Sequence, residues 1–394
     1  MCLFDLVIVG NDISGLILTY SLIKSNIFKI GLICESCLLS SKLIENNEFF
    51  NLININILDK SILNKLGIWN FINNQFEGKY RLIKILKTKN FNNVIFDCSL
   101  YNISHFGFVF NKEKLTNSLF SLIKKDSKIS IFYDFINTIV WKKEMVSIYL
   151  NKGNVIKTKL IIAADGYESK IKNFENIPSF FYRKDSSILT TIINHEIKHK
   201  DTLYKIIENK NRILYFFPLS HQNKSLLIWV LPKLKALKYK NIKQSFFEKK
   251  ISILNDMQLG YCKLINGISN IPYVLQYSKK FISNRLILLG NSSYQIGYTE
   301  MFDINFRLNE IKMLRNKLIQ LKTENKDIGH FFYYREYSKE IRYQSIMNVI
   351  KHKIFNKILL SNLIFNQKNL EIINFFFNLK IKNKIKFLNF LIKI

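Results

Sequence analysis

The sequence is poor in proline, glycine and acidic residues. Its 394 residues include only 4 prolines and 13 glycines, and 59 lysines and arginines outnumber 29 aspartates and glutamates. Lysine, asparagine, isoleucine and phenylalanine are abundant throughout, a bias typical of AT-rich coding sequences. The lysines behind the net charge of +30 are spread along the chain and form no basic cluster of the kind that marks a nucleic-acid groove. Nucleic acid is therefore not expected as a partner.

Cysteines are few as well, and long apolar runs are missing. Five cysteines, an odd number, argue against a disulfide framework and for a reducing compartment. No uncharged apolar run reaches the ~18 residues of a membrane span, and the N-terminus has no secretory pattern. We expect a cytoplasmic protein, with attachment to the inner face of the cell membrane as the alternative.

Apolar and aromatic residues, in contrast, are plentiful. They make up 48% and 14% of the chain, which is enough for a folded protein with a sizeable core. A chain of this length holds two or three domains.

The clearest local pattern lies near the N-terminus. Residues 7–15 read VIVGNDISG, in which an apolar strand enters a turn at Gly10 and helical spacing follows Gly15. A second apolar strand ends at Glu35, twenty residues beyond Gly15. A strand, a glycine turn and a helix followed at that distance by an acidic residue are typical of a dinucleotide-binding βαβ unit.

Asp12 departs from the usual pattern G-x-G-x-x-G, which has a glycine at this position. A carboxylate about 4 Å from a phosphate charge is repelled by roughly 1 kcal/mol in water and about 4 kcal/mol near a protein surface. A dinucleotide would then bind roughly ten- to a thousand-fold more weakly. We expect this weakening unless Asp12 points outward or meets a lysine.

The order of strand and helix patterns predicts an α/β protein. We expect a discontinuous Rossmann-like domain over residues 1–175 and 280–345, with an antiparallel β domain inserted over residues 176–279. Alternating strands such as SILTTIINHEI and RILYFFPLS define the insertion. A helical C-terminal region is expected over residues 346–394.

Three separated segments carry a family pattern. They are VIVGNDISG…LICE, LIIAADGYESKIK and RLILLGNSSYQIGYTEMFDINFRLNE, in that order. Together they resemble the flavin-dependent aromatic hydroxylases, and most nearly the ubiquinone-biosynthesis hydroxylases, over nearly all of residues 3–345. The resemblance implies a fold that binds FAD, NAD(P)H as electron donor, molecular oxygen as co-substrate and a polyprenylated phenol as substrate.

The resemblance also implies cofactor-binding residues, each at a position that matches a family fingerprint. They are Gly10, Ser14, Gly15, Glu35, Asp165, Gly166, Gly290, Asn291 and Asn305. The first three would hold the FAD pyrophosphate at a helix N-terminus, and Glu35 the adenosine ribose. The Asp-Gly pair would border FAD and the path of the nicotinamide donor, the Gly-Asn pair the ribityl chain, and the last asparagine the flavin ring. No catalytic residue is singled out, because the cofactor carries the chemistry.

Positions near the flavin ring depart from the family pattern. Tyr298 replaces a proline, and Met301 and Asp303 replace two glycines that let the backbone pass close to the isoalloxazine. Two family arginines fall near Asn51 and at Glu113. Two alternatives to a hydroxylase follow: a catalytically degenerate subunit of a quinone-biosynthesis assembly, or another FAD-dependent oxidoreductase on the same fold.

Two short motifs invite a metal interpretation. HEIKH, residues 195–199, matches the H-E-x-x-H of zinc proteases, which must lie on a helix. Here it follows an alternating β run, and positions four apart on a strand are ~13 Å from each other. We therefore expect an exposed strand end. The C-x-x-C of Cys34 and Cys37 has neither a second pair nor a thioredoxin-like frame, and no metal is expected.

The stretch 375–394, FFFNLKIKNKIKFLNFLIKI, mixes apolar residues with lysines and contains no acidic residue. It is either a helix docked on the core or a basic amphipathic helix on an anionic membrane, where each lysine contributes ~1 kcal/mol. A polyprenylated substrate favours the membrane interpretation slightly.

Overall fold

The computed structural model describes residues 2–35, 52–87, 90–209, 211–256, 258–297 and 300–360. Its strands are β1 (Cys2–Val9), β2 (Ile30–Cys34), β3 (Leu52–Asn56), β4 (Phe76–Tyr80), β5 (Leu82–Lys87), β6 (Asn90–Asp97), β7 (Gly107–Asn111), β8 (Ile129–Tyr133), β9 (Ile136–Trp141), β10 (Val146–Leu150), β11 (Val155–Ala163), β12 (Ser179–His195), β13 (Thr202–Asn209), β14 (Arg212–Pro218), β15 (Lys224–Pro232), β16 (Cys262–Leu264), β17 (Ser269–Ser278), β18 (Ile282–Ser283), β19 (Leu286–Leu288) and β20 (Tyr294–Gly297). Its helices are α1 (Ile13–Ile23), α2 (Ile57–Lys65), α3 (Trp69–Ile72), α4 (Lys112–Lys124), α5 (Lys170–Phe174), α6 (Lys233–Asn241), α7 (Gln244–Leu254), α8 (Glu300–Thr323) and α9 (Arg335–Leu360).

A parallel sheet forms the first layer. Strands β19, β11, β1, β2 and β8 lie side by side in that order and are all parallel, and β18 extends the sheet beyond β19. Every residue of β2 is buried, as expected for a parallel strand covered on both faces. The first connection, β1–α1–β2, is the βαβ unit that the N-terminal pattern predicts.

Each face of the parallel sheet has its own apolar cluster. Helices α1, α4 and α8 pack over one face and bury residues such as Leu16, Leu119 and Leu314. The antiparallel strands β9 and β10, which pair in succession from β11, cover the other face with residues such as Ile139 and Ile148. Both faces of the sheet are therefore covered, which leaves its strand ends as the accessible edge.

A nine-stranded sheet forms the second layer. Its order is β20-β17-β12-β15-β14-β13-β5-β6, with β16 beside β12, and all pairs are antiparallel except β13 with β5. Three of these strands, β5, β6 and β20, come from outside residues 176–279, so the sheet is wider than that segment. One face packs on α6 and α7. The other packs on the small sheet β3-β7-β4.

The chain thus has the α/β architecture that the sequence predicts, with a parallel Rossmann-like sheet beside a large antiparallel one. Within the residues that the structure describes, we find no helix with the length and apolar character that a membrane crossing requires. The stretch 375–394 lies outside the described residues.

Candidate functional site

The turn after β1 lies where four strands of the parallel sheet end together. The Gly10 N–H donates to the Ile33 carbonyl at 2.9 Å, and the Ala164 N–H donates to the Val9 carbonyl at 2.7 Å. Gly10 has φ +110°, and a Cβ built on it would lie 2.3 Å from the Ala164 carbonyl oxygen. Only glycine fits this conformation and this contact. The carboxyl edge of a parallel sheet is where such folds bind ligands.

Helix α1 begins directly after this turn and packs tightly on the sheet. A Cβ on Gly15 would lie 2.9 Å from the Gly10 carbonyl oxygen and 3.1 Å from the Ala164 Cβ. The N-terminus of α1 is thereby held against the strand ends, with its first amides and its dipole directed at the same edge. This arrangement suits a phosphate group.

The turn at Gly290, in the third of the family segments, contacts the first segment at Ser14. Gly290 has φ +67°, and a Cβ on it would lie 3.0 Å from Ser14 Oγ. The Leu289 N–H donates to the Ala163 carbonyl at 2.8 Å. Sequence segments that are more than a hundred residues apart therefore converge on one edge, as their resemblance to the family predicts.

Asp12 meets a lysine, which is one of the two arrangements expected to relieve its repulsion of phosphate. Its Oδ1 lies 2.6 Å from Nζ of Lys112, the first residue of α4. Burial acts to raise the pKa of Asp12, but the charge and hydrogen bond of Lys112, with a smaller contribution from Arg307, hold it below its ordinary value. Asp12 is therefore ionised, and its charge is balanced by a neighbouring cation.

Glu35 stands at the end of β2, where the family would bind the adenosine ribose. Its Oε2 lies 3.0 Å from Lys170 Nζ, and the same ammonium group lies 4.9 Å from the centre of the Phe135 ring. The ion pair orients a carboxylate along the edge that Gly10 and Asp165 occupy.

Asp165 is buried at the turn of the second family segment, LIIAADGYESKIK, and only one of its carboxylate oxygens has a hydrogen-bond partner among the described residues. Its Oδ2 accepts from the Ile171 N–H at 3.4 Å, whereas Oδ1 has no hydrogen-bond partner in the described part of the chain. Burial raises the pKa of Asp165. Gly166 has φ +89° and open space around it. A carboxylate oxygen without a donor at this edge fits a ligand hydroxyl or amide.

Lys172 lies beside Asp165 and is itself almost fully buried. Its Nζ donates to the Tyr167 carbonyl at 2.9 Å. Burial lowers the pKa of Lys172 to about 8, although the charge of Asp165 acts in the opposite direction.

A buried ion pair, Arg307 with Glu310, lies against the turn that contains Gly290 and Asn291. Arg307, 2% exposed, donates to Asn291 Oδ1 at 3.3 Å and pairs with Glu310 at 3.3 Å. Its guanidinium group also lies 3.8 Å over the ring of Tyr294. Burial raises the pKa of Glu310, and the positive charge of Arg307 acts against this.

The sequence analysis missed Lys112, Lys172, Arg307 and Glu310. Two signals pointed toward them: Lys112 directly precedes the position of a family arginine, and Arg307 and Glu310 have the i,i+3 spacing of a helical ion pair.

Several predicted positions lie outside what the structure describes. Asn51, Tyr298 and Cys37 are outside the described residues. Met301, Asp303 and Asn305 belong to the first turns of α8, and their side chains are outside the described set. The flavin-ring end of the predicted site therefore stays a sequence-based expectation.

The HEIKH segment differs from the expected exposed strand end. Strand β12 stops at His195 and the chain then turns, so the His195 and His199 rings lie 5.9 Å apart rather than ~13 Å. Both residues are buried. Both His195 ring nitrogens have hydrogen-bond partners, the Ile197 carbonyl and Ser225 Oγ, and His199 contacts the Leu219 carbonyl. The pair fastens a loop, and burial lowers both pKa values, that of His195 to about 4.

Comparison with known proteins gives consistent relatives. No protein-family model matches the chain. Ubiquinone hydroxylase UbiM of Neisseria meningitidis is 20% identical over 297 residues, 71% of this chain and 62% of that protein. The aligned region thus spans less than two thirds of that relative. The ubiquinone biosynthesis monooxygenase COQ6 of Caenorhabditis elegans is 20% identical over 335 residues, 75% of this chain and 73% of that one.

A solved structure extends the likeness to the fold. PqsL of Pseudomonas aeruginosa, described as a probable FAD-dependent monooxygenase, superposes with a TM-score of 0.71. The superposition covers 92% of this chain and 98% of PqsL, at 14% identity. The three converging glycine turns, the relatives and the fold agree with one another: the chain is similar in sequence to ubiquinone-biosynthesis hydroxylases and shares the fold of PqsL.

Proposed function

We propose that this protein is an FAD-dependent monooxygenase that uses NAD(P)H and molecular oxygen to hydroxylate a polyprenylated phenol in ubiquinone biosynthesis. The observation that carries the proposal is the convergence of the turns at Gly10, Asp165 and Gly290 on one edge of a parallel sheet. The similarity to the ubiquinone hydroxylase UbiM and the ubiquinone biosynthesis monooxygenase COQ6 supports the substrate class.

The residues at this edge fit the phosphate and ribose end of FAD. We propose that the turn from Gly10 to Gly15 and the α1 amides hold the pyrophosphate, with Glu35 at the ribose. Asp165 would receive a donor on its unpartnered oxygen, and Asn291, fixed by Arg307, would contact the ribityl chain. Bound FAD would supply the oxygen-activating chemistry, while the protein orients it and excludes water.

We propose that the substrate binds beside the nine-stranded sheet, whose strands are rich in apolar and aromatic residues. A prenyl chain buried against such residues gains about 25 cal/mol per Å². In this proposal, residues 176–279 form the substrate domain, and residues 1–175 and 280–345 form the FAD domain.

The first test is the visible absorbance of the purified protein, followed by titration of FAD into any apoprotein. We expect stoichiometric flavin, NAD(P)H oxidation that a prenyl phenol accelerates, and incorporation of isotopically labelled oxygen into the product. Folded protein without saturable FAD binding would overturn the proposal in favour of the degenerate subunit. Flavin reduction without oxygen incorporation would indicate another oxidoreductase.

We further propose a cytoplasmic location with peripheral contact of residues 375–394 to the inner face of the cell membrane. Basic and apolar residues alternate there without acidic ones. Sedimentation with anionic vesicles should be lost when these residues are deleted, and equal sedimentation of the full-length and deleted chains would contradict it.

A further inference from the structure

Asp12 occupies a position that two features make attractive to an anion. It is the N-cap of α1, next to the positive end of the helix dipole. Its carboxylate also pairs with Lys112 at 2.6 Å. These two features, a helix N-terminus and a cation beside a glycine turn, are the ones that a pyrophosphate uses.

The charges around Asp12 come from three packed helices. Asp12 is at the start of α1 and Lys112 at the start of α4, and Arg307 of α8 also lowers the pKa of Asp12 through its charge. Arg307 is in turn paired with Glu310. The carboxylate of Asp12 thus mainly balances the positive charge of Lys112 at the start of α4.

We propose that Asp12 is an intramolecular competitor of the cofactor pyrophosphate. In the apoprotein it binds Lys112, and a dinucleotide must displace it from this lysine, which then becomes a phosphate ligand. Lys112 balances the charge of Asp12 only while the site is empty, so the carboxylate stabilises the apoprotein and weakens cofactor binding. The inference rests on the proposed FAD site and adds to it a phosphate-binding lysine and an internal anion.

The proposal predicts opposite effects on two measurements. Asp12→Asn keeps the shape of the side chain but removes its charge, so the apoprotein melts at a lower temperature while FAD binds at least about ten-fold more tightly. Lys112→Gln lowers the melting temperature of the apoprotein as well, but it weakens FAD binding. The two variants thus change FAD affinity in opposite directions, although both lower the melting temperature of the apoprotein.

Asp5→Asn is the matched control. Asp5 lies on the same strand as the turn, and its ion pair with Lys322, at 2.5 Å, is comparable in length to that of Asp12. Asp5 lies in the half of β1 that is farther from the turn at Gly10. Loss of the Asp5–Lys322 ion pair should therefore lower the melting temperature without changing FAD affinity.

The experiment measures apoprotein melting temperature and FAD dissociation constants for the wild type, the three variants and Asp12→Gly. Inorganic pyrophosphate serves as a second probe and should raise the melting temperature of Asp12→Asn more than that of the wild type. Equal or weaker FAD binding by Asp12→Asn would overturn the inference and leave the proposed function intact. If neither the wild type nor Asp12→Gly bound FAD while both were folded, both proposals would fail.

Discussion

The two sheets place their polar groups differently. In the parallel sheet, the charged side chains of Asp12, Glu35 and Asp165 lie at one edge, where strands end and glycine turns begin. In the nine-stranded sheet, polar groups are buried within it: Lys205 is fully buried in the middle of β13, and His195 closes β12. We therefore expect the edge built from turns to bind the ligand, and the buried polar groups of the second sheet to serve its packing.

The largest loss of stability should come from a substitution in the core of the nine-stranded sheet. Trp229 is buried on the face that contacts α6 and α7, with its ring 4.6 Å from Tyr239 and 6.0 Å from Phe247. We expect Trp229→Ala to lower the free energy of unfolding by about 3–5 kcal/mol, because it leaves a cavity. Urea denaturation measures this loss.

Trp229→Phe is the control for this variant, since it keeps an aromatic ring at this position, leaves a smaller cavity and should cost less than the alanine variant. In conditions where the protein stays folded, both variants should bind FAD as the wild type does. A parallel loss of FAD affinity would show that the two sheets do not separate packing from binding.

Gly10 provides the corresponding test at the binding edge. In Gly10→Ala, the new Cβ would lie 2.3 Å from the Ala164 carbonyl oxygen at φ +110°. We expect a loss of roughly 3 kcal/mol in unfolding free energy, together with loss of FAD binding. The measurements are urea denaturation and FAD titration.

Gly153→Ala separates backbone strain from the contact. Gly153 also has a positive φ, +85°, but a Cβ on it would have nothing within 4 Å. This variant should lose only about 1 kcal/mol and keep FAD binding. Equal losses in the two alanine variants would contradict the close approach of β1 and β11.

The sequence predicted the edge well because its requirements are local. Gly10, Gly166 and Gly290 each lie in a turn after a short apolar strand, where the need for a positive φ or a close approach leaves a glycine in the sequence. The α/β architecture follows from the same alternation of apolar strands and helices.

The pairing of Asp12 with Lys112 could not be read from the sequence. The two residues are a hundred positions apart, and lysines are abundant throughout the chain. Strands β5 and β6 belong to the large sheet because β5 pairs in parallel with β13. This pairing between distant segments cannot be predicted from the local sequence pattern. The His195 and His199 rings approached each other because β12 ends between them, a boundary that the alternating pattern did not mark.

Lys205, in the nine-stranded sheet, should make the free energy of unfolding depend on pH. Its ammonium lies 5.2 Å from the Tyr215 ring centre, and burial lowers the pKa of Lys205 to about 7. The unfolded chain, with a lysine pKa near ~10.4, binds more protons than the folded one between these values. Stability should therefore increase as pH rises above about 7, with a contribution from this lysine that approaches about 1.4 kcal/mol per pH unit.

The measurement is the unfolding free energy of the wild type and Lys205→Met across this pH range. The variant should be more stable at neutral pH and should show a smaller increase with pH. Lys263→Met, which changes an exposed lysine of the same sheet, controls for the loss of one lysine. Identical pH dependence of the wild type and Lys205→Met would contradict the effect of burial.

Asp165 gives the smallest stability effect and the clearest contrast with Lys205. Because Oδ1 is buried without a partner among the described residues, Asp165→Asn removes a charge whose burial is poorly compensated. The apoprotein should gain about 1 kcal/mol in unfolding free energy, while FAD should bind more weakly. Lys205→Met should also stabilise the protein at neutral pH, but without weakening FAD. If Asp165→Asn stabilised the apoprotein and left FAD affinity unchanged, its carboxylate would be a packing feature like Lys205, and the distinction between the two sheets would not hold at this residue.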